Sequence, residues 1–214
     1  MPVICPAILA NNKEQYSAQV EKIAPFAHRM QIDLTDGMFA KNKTVEPSDA
    51  WWPVGVKADI HLMYKNPLVA AQTVLRHQPN LVIIHAEAEG DFNVVARACE
   101  DHNVKIGLAL LPGTPVSSIV SVLDTLDHVL IFSGDLGNYG GHANLSLLDK
   151  VKELKDRKPS LEVGWDGGAN SYNISQLVFG GVDVINVGGF LQKADDPAKA
   201  YSALRRIAEE TGTT

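Results

Sequence analysis

Residues 57–85 read KADIHLMYKNPLVAAQTVLRHQPNLVIIH, and the fold is predicted outward from this stretch. Two apolar runs, Lys57–Leu62 and Leu81–His85, are rich in Ile, Leu and Val, as parallel strands buried on both faces are. The segment between them, Asn66–His77, is predicted to be a helix with Asn66 as its N-cap. A strand, a helix and a second strand in this order predict a parallel βαβ unit.

The same alternation continues along the chain. Six further apolar runs are predicted as strands: Val3–Leu9, Met30–Asp33, Lys105–Leu110, His128–Phe132, Leu161–Asp166 and Val182–Val187. Six further segments are predicted as helices: Asn12–Ile23, Phe92–Asp101, Pro115–Leu126, Asn144–Arg157, Tyr172–Phe179 and Pro197–Glu209. The exception is Leu34–Pro53, which reads as a long loop with at most a short helix near Trp51 and Trp52.

About eight strand–helix units in strict alternation predict a closed (β/α)₈ TIM barrel. A doubly wound open sheet also uses alternating units, but no GxGxxG motif follows the first strand. The chain has 214 residues and no stretch that resembles a linker. We therefore expect a single α/β domain over residues 1–214.

Composition and charge exclude several classes of protein. With 45% hydrophobic and 21% charged residues, the chain is neither disordered nor a coiled coil. Its net charge of −6 argues against a nucleic-acid partner. No apolar run approaches the roughly 18 residues of a membrane span, and we see no secretory signal. Two cysteines, Cys5 and Cys99, make no disulfide framework, so we expect a cytoplasmic protein without a membrane partner.

Three polar residues fall at the predicted carboxyl ends of strands, where TIM barrels build their active sites. Asp33 lies at the end of strand 2, His61 near the end of strand 3 and Asp166 at the end of strand 7, and Gln31 shares the face of Asp33. Strands 2 and 7 lie about three strands apart in an eight-membered ring, so the two carboxylates are expected to meet across the mouth. Together the three side chains suit a divalent metal or acid/base work. Taken singly, each Asp also fits a turn cap, and His61 fits a hydrogen-bonded core histidine.

Glycines follow three adjacent predicted strands. They are Gly134, Gly137, Gly140 and Gly141 after strand 6, Gly167 and Gly168 after strand 7, and Gly188 and Gly189 after strand 8. Glycine lets backbone N–H groups approach an anion closely, and barrels often hold phosphate after strands 7 and 8. A phosphate subsite is therefore expected beside the carboxylates.

These residues resemble the ribulose-phosphate 3-epimerase family. The likeness runs nearly end to end, and its more specific elements are the strand-3 motif and the strand-2 motif with the Asn that follows it. The similar stretches are CPAILA at 5–10, IDLTDGMF at 32–39 with NKT at 42–44, DIHLM at 59–63, HAEA at 85–88, GLAL at 107–110, DGG at 166–168 and VGG at 187–189.

The resemblance implies a ribulose-phosphate-binding type of TIM barrel that interconverts D-ribulose 5-phosphate and D-xylulose 5-phosphate. It implies that Asp33 and Asp166 are the acid/base pair, and that both bind one divalent metal ion (Zn, Mn or Fe) together with His61. It implies a ketose phosphate substrate, and we also expect a homo-oligomer. The substrate and phosphate ligands it implies are Ala7, Met63, Gly140, Gly141, Gly168, Gly188 and Gly189.

Several positions depart from the family pattern. Gln31 stands where the family has a metal-binding His, and Ala7 stands where it has a Ser. Trp165 is bulkier than the usual residue before the strand-7 Asp. These changes keep two alternatives open, a catalytically weak sugar-phosphate-binding barrel and a barrel with a different sugar phosphate. The 3-hexulose-6-phosphate synthase and orotidylate decarboxylase group is disfavoured, because the strand-3 motif at 59–63 lacks its Lys.

Overall fold

The structure is a computed structural model that describes residues 1–212, and it confirms the closed barrel. Eight parallel strands follow one another in sequence order, and the last pairs with the first. The strands are β1 (Val3–Ile8), β2 (Arg29–Thr35), β3 (Lys57–Met63), β4 (Leu81–His85), β5 (Lys105–Leu110), β6 (His128–Phe132), β7 (Glu162–Asp166) and β8 (Val184–Val187). The α-helices are α1 (Lys13–Ile23), α2 (Leu68–Leu75), α3 (Phe92–Asp101), α4 (Leu148–Arg157), α5 (Ile174–Phe179), α6 (Gly189–Gln192) and α7 (Pro197–Gly212).

The structure differs in detail from the predictions at the start of α2 and in the loop after β2. Asn66 does not cap α2, which begins at Leu68 without a side-chain cap, because Pro67 occupies the capping position. The short helix expected near Trp51 and Trp52 lies earlier, as a 3₁₀ turn over Pro47–Asp49 that opens on a proline.

The segment Pro115–Leu126 is a 3₁₀ helix over Val116–Thr125 and not the expected α-helix. It is rich in Val and Ser, which are weak α-helix formers. The Ser118 hydroxyl also donates to the Pro115 carbonyl and so competes with regular helical bonding. The buried residues Val116 and Ile119 are three positions apart, which suits the three-residue turn.

Side chains of the strands alternate between the helices and the barrel interior. Leu81, Ile83 and Leu130 form an apolar cluster inside the barrel, separate from the larger core under the helices. Trp165 is fully buried in that outer core, and its indole N–H donates to the Gly167 carbonyl at 2.9 Å. The bulk of Trp165 therefore faces the helices and not the mouth of the barrel.

Charged groups close the amino-terminal end of the barrel. The Arg29 guanidinium donates to Asp59 at 2.6 Å and to both carboxylate oxygens of Glu162 at 2.9 and 2.7 Å. His128 Nδ1 lies 2.9 Å from Glu162. These charged and polar side chains fill the floor of the barrel, and Asp59 and His128 are buried there. Among the described helices, none combines the length and apolar character needed to cross a bilayer.

Arg29→Met should lower the free energy of unfolding by about 3–5 kcal/mol, because it leaves the buried carboxylate of Asp59 and the partly buried carboxylate of Glu162 without their cation. The matched control is Arg157→Met, which breaks an exposed pair with Glu153 on α4. Loss of an exposed pair should cost no more than about 1 kcal/mol. Urea denaturation of both variants measures the difference, and equal losses would contradict a role for the floor network.

Candidate active site

Two carboxylates meet at the carboxyl-terminal mouth of the barrel and are joined by one amide. Asp33 lies on β2 and Asp166 ends β7. The Gln31 side-chain NH₂ donates to Asp33 Oδ1 at 2.8 Å and to Asp166 Oδ2 at 2.6 Å. The period-2 pleat of β2 turns Gln31 and Asp33 inward together, and closure of the ring brings β7 opposite them. The predicted convergence is therefore present, with Gln31 as the link.

His61 completes the group at the same level of the barrel. It pairs with Asp33 across β2 and β3, and its Nδ1 lies 2.9 Å from Asp33 Oδ1 and 3.7 Å from Asp166 Oδ2. Its side chain is fully buried. Potential ligand atoms of Asp33, His61 and Asp166 all lie within 4.8 Å of one another. The structure thus gathers the three side chains that the sequence singled out.

Burial sets the protonation of this group. It raises the pKa of Asp33 to about 7, although the hydrogen bond from Gln31 opposes the rise. Burial also raises the pKa of Asp166 to about 7, and the negative charge of Asp33 adds to the effect. The pKa of His61 falls to about 4 because a charged imidazole is costly away from water. Both carboxyl groups can therefore take up and release protons near neutral pH.

The same residues fit a divalent metal ion. Two carboxylates and one imidazole are a donor set that suits Mn²⁺, Fe²⁺ or Zn²⁺. The Gln31 carbonyl oxygen is buried and has no hydrogen-bond partner, while its NH₂ faces the carboxylates. A half turn of this amide would exchange the two atoms and present the oxygen to a cation. Gln31 thus fits the group, but as a neutral and weaker ligand than an imidazole.

A cavity of about 490 Å³ opens above Asp33 and Asp166. Every predicted substrate or phosphate ligand lines it: Ala7, Met63, Gly140, Gly141, Gly168, Gly188 and Gly189. Local packing requires glycine at some of these positions and leaves room for a side chain at others. Gly168 has a φ of +70°, and a Cβ there would collide with the backbone of Ala143, so its packing already requires glycine. A Cβ on Gly189 would meet only ordinary contacts, the nearest at 3.5 Å.

Two polar residues that line the cavity, Tyr139 and Asn186, were not among the predicted site residues. Tyr139, in the loop after β6, places its hydroxyl 2.6 Å from the Leu9 N–H and 2.6 Å from Gln19 Oε1, and so ties that loop to β1 and α1. Asn186 is buried in β8 and lines the cavity, with its Oδ1 unpartnered. The signal for Asn186 was available, because it is the one polar residue of the strand VINV. Contacts of Tyr139 depend on the loop conformation, which leaves no sequence pattern.

His85 was also left out of the predicted site. It ends β4, is buried, and its Nε2 lies 2.9 Å from Nε2 of His61. Its position at a strand end beside β3 was the signal that could have found it.

Comparisons with known proteins agree with this geometry. The model of the family described as "Ribulose-phosphate 3 epimerase family" matches residues 3–191. Ribulose-phosphate 3-epimerase of Helicobacter pylori is 30% identical over 96% of this chain and 98% of that enzyme. The Mycobacterium bovis enzyme of the same name is 31% identical over 97% of this chain and 93% of its own.

Solved structures show the same fold at lower identity. A crystal structure of KGPDC from Streptococcus mutans superposes with a TM-score of 0.80 at 15% identity, covering 98% of both chains. The structure of 3-hexulose-6-phosphate synthase from Salmonella typhimurium gives 0.73 at 12% identity, covering 98% of this chain and 99% of that one. At such identities the likeness concerns the barrel alone. The family match and the full-length relatives go further, and on them the chain belongs to the ribulose-phosphate 3-epimerase family.

Proposed function

We propose that the protein is an epimerase that interconverts D-ribulose 5-phosphate and D-xylulose 5-phosphate. The observation that carries this proposal is the convergence of Asp33 and Asp166 below the cavity, both with a pKa of about 7. The carboxylates come from β2 and β7, which lie three strands apart in the ring. Two acid/base groups that reach a substrate from different sides are what inversion of a carbon centre requires.

The reaction begins with the hydrogen on C3, which is acidic because C3 lies beside the C2 ketone. One carboxylate removes this proton, and the other carboxyl group delivers a proton to the opposite face. The Gln31 amide holds both groups in place through its two hydrogen bonds. A divalent metal bound by Asp33, His61 and Asp166 would supply positive charge against the negative charge that develops on the substrate oxygens.

The rest of the cavity suits a phosphorylated sugar. In this proposal, the backbone N–H groups of the glycines after β6, β7 and β8 bind the phosphate. Lys193 also lines the cavity and would add a cation. The unpartnered Oδ1 of Asn186 is an acceptor for a sugar hydroxyl, since a buried acceptor gains from such a bond. A cytoplasmic homo-oligomer acting in carbohydrate metabolism remains part of the proposal.

A second candidate is a sugar-phosphate-binding barrel with little catalysis. It is favoured by Gln31, which occupies the family's metal-ligand position and donates to the carboxylates that a metal would bind. A panel of ketose phosphates, assayed with metal-loaded and with chelator-treated protein, distinguishes the two candidates. Conversion of ribulose 5-phosphate supports the epimerase, whereas phosphate-sugar binding without conversion in either state supports the second candidate.

Asp166→Asn should lower kcat by at least ~10²-fold, because the amide keeps the size of the side chain but accepts no proton. Asp33→Asn should do the same from the other face. The control is Asp156→Asn on the exposed side of α4, which should leave kcat unchanged. Proton exchange at C3, followed by NMR, measures the effect. Full exchange in both active-site variants would refute the two-base scheme.

Gly189→Leu should raise KM for the sugar phosphate and weaken inhibition by inorganic phosphate, because a side chain at this position blocks approach of the anion to the backbone. Gly189 is the sharpest test among these glycines, because its own packing leaves room for a Cβ. Gly113→Leu is the control, since that glycine has open space around it and does not line the cavity. Equal KM values for the two variants would count against the phosphate subsite.

Gln31→His should tighten binding of Zn²⁺ by roughly 10–100-fold, the range typical of tuning a metal site. The imidazole replaces a neutral amide oxygen and removes the NH₂ that now competes for the carboxylates. Gln72→His adds an imidazole at an exposed position of α2 and serves as the control. Calorimetric titration with Zn²⁺ and Mn²⁺ compares the three proteins. Equal zinc affinity in the wild type and Gln31→His would overturn this account of Gln31.

A further inference from the structure

A chain of hydrogen-bonding groups leads from the two carboxylates out of the barrel interior. His61 Nδ1 lies 2.9 Å from Asp33 Oδ1, and His61 Nε2 lies 2.9 Å from His85 Nε2. His85 Nδ1 in turn lies 3.3 Å from Glu87 Oε2. Both imidazoles are buried, and neither His85 nor Glu87 lines the cavity above the carboxylates. The hydrogen bonds of these two residues therefore reach the carboxylates through His61.

Glu87, at the outer end of this chain of hydrogen bonds, determines which nitrogen atoms of the two histidines carry protons. Oε1 of Glu87 accepts the Leu111 backbone N–H at 3.0 Å, and the carboxylate also has a side-chain hydrogen bond with Thr114. Burial raises the pKa of Glu87, but the hydrogen bonds from His85, Thr114 and Leu111 bring it down to about 2. Even without the bond from His85, a partly exposed Glu side chain that accepts the Leu111 N–H is ionised at neutral pH, so Glu87 only accepts hydrogen bonds. His85 must therefore carry a proton on Nδ1 and donate it.

The positions of the remaining protons follow from the chemistry of neutral imidazole, which has one N–H and one nitrogen lone pair. A charged ring is costly at a buried position, so each ring carries one proton. Since Nδ1 of His85 is the donor, its Nε2 holds a lone pair. His61 Nε2, 2.9 Å away, must donate to that lone pair. The lone pair of His61 is then on Nδ1, which points at Asp33 and Asp166.

We propose that Glu87 and His85 are positioning residues that fix the tautomer of His61, so that its Nδ1 lone pair faces the two carboxylates and is ready to bind a divalent cation. The choice of a metal as that cation rests on the proposed function. The tautomer does not, because it follows from hydrogen bonds alone.

The assignment explains a contact that is otherwise unfavourable. His61 Nδ1 and Asp33 Oδ1 are two acceptors at 2.9 Å, and facing acceptors need a positive centre between or beside them. A proton on Asp33 meets this need in the metal-free protein, and a metal ion meets it in the loaded protein. A His61 with its proton on Nδ1 would instead donate to Asp33 and offer the metal no lone pair.

Glu87→Gln is the sharpest variant. The backbone N–H of Leu111 cannot turn round, so the amide oxygen of Gln stays with it, and the NH₂ group then faces His85 Nδ1. That nitrogen must become an acceptor, His85 moves its proton to Nε2, and His61 receives its proton on Nδ1. One substitution outside the cavity therefore reverses both tautomers. The control is Glu89→Gln in the same loop, whose exposed carboxylate pairs with Lys65.

The experiment is ¹⁵N NMR of the histidine side chains in the full-length metal-free protein, followed by calorimetric titration with Mn²⁺. We expect protons on Nε2 of His61 and Nδ1 of His85 in the wild type and in Glu89→Gln. Glu87→Gln should show the reverse, with Mn²⁺ bound roughly 10–100-fold more weakly. Merely structural damage would lower affinity but would leave the tautomers unchanged.

Two results would overturn the proposal: a proton on Nδ1 of His61 in the wild type, or wild-type tautomers in a folded Glu87→Gln protein. If Glu87→Gln does not fold, the wild-type spectrum still decides the tautomer. Failure of the proposed function is distinguishable. Expected tautomers without proton exchange at C3 would support the positioning role and contradict the epimerase. Normal exchange with reversed tautomers would support the epimerase and contradict the positioning role.

Discussion

Two carboxylates held together in a buried barrel mouth repel each other, and the single amide of Gln31 is what makes their closeness tolerable. Its NH₂ group donates to Asp33 and Asp166 at 2.8 and 2.6 Å. Burial raises both pKa values to about 7, and at Asp166 the negative charge of Asp33 adds to the rise. Both carboxyl groups therefore exchange protons near neutral pH, because hydrogen bonds from Gln31 compensate their negative charges only in part. A divalent cation between the carboxylates would relieve the same repulsion more fully.

The mouth of the barrel and its amino-terminal floor differ in how their charged groups are paired. At the amino-terminal floor, Arg29 pairs with Asp59 and Glu162, so both carboxylates there have a cationic partner. At the mouth, Asp33 and Asp166 lack such a cation, and polar atoms of Gln31 and Asn186 remain unpartnered. Buried groups without partners cost free energy, and proteins keep them where a ligand will supply the missing contact. The floor also holds one such atom, Nε2 of His128, but only the unpartnered atoms of the mouth lie beside the large cavity, which is the physical reason to place the ligand there.

Much of this was predictable from sequence because it depends on strict periodicities. The alternation of apolar runs with helical segments predicted the barrel, and the period-2 pleat placed Gln31 and Asp33 on one face. Ring closure then brought His61 and Asp166 to them. The role of Gln31 was only half predicted. Its position in the site was expected, but its hydrogen bonds to both carboxylates depend on side-chain rotation, which no spacing encodes.

Other features could not be predicted because they arise from packing between distant segments. Tyr139 reaches the Leu9 N–H across 130 residues, from a loop whose path the sequence does not define. The tautomer chain through His85 and Glu87 requires the Leu111 backbone N–H as a fixed donor. The 3₁₀ form of Val116–Thr125 reflects a balance of weak preferences that helical spacing alone did not resolve.

The central claim is that two different carboxyl groups handle the C3 proton on opposite faces, and isotope transfer tests it most directly. Metal-loaded protein is mixed with D-ribulose 5-phosphate in deuterated water, and both sugars are analysed by NMR over the first turnovers. The account predicts deuterium at C3 of the xylulose 5-phosphate that forms, while the remaining ribulose 5-phosphate keeps its original hydrogen. Product that carries the original hydrogen at C3 would show that one group moved the proton between faces, and would contradict the account.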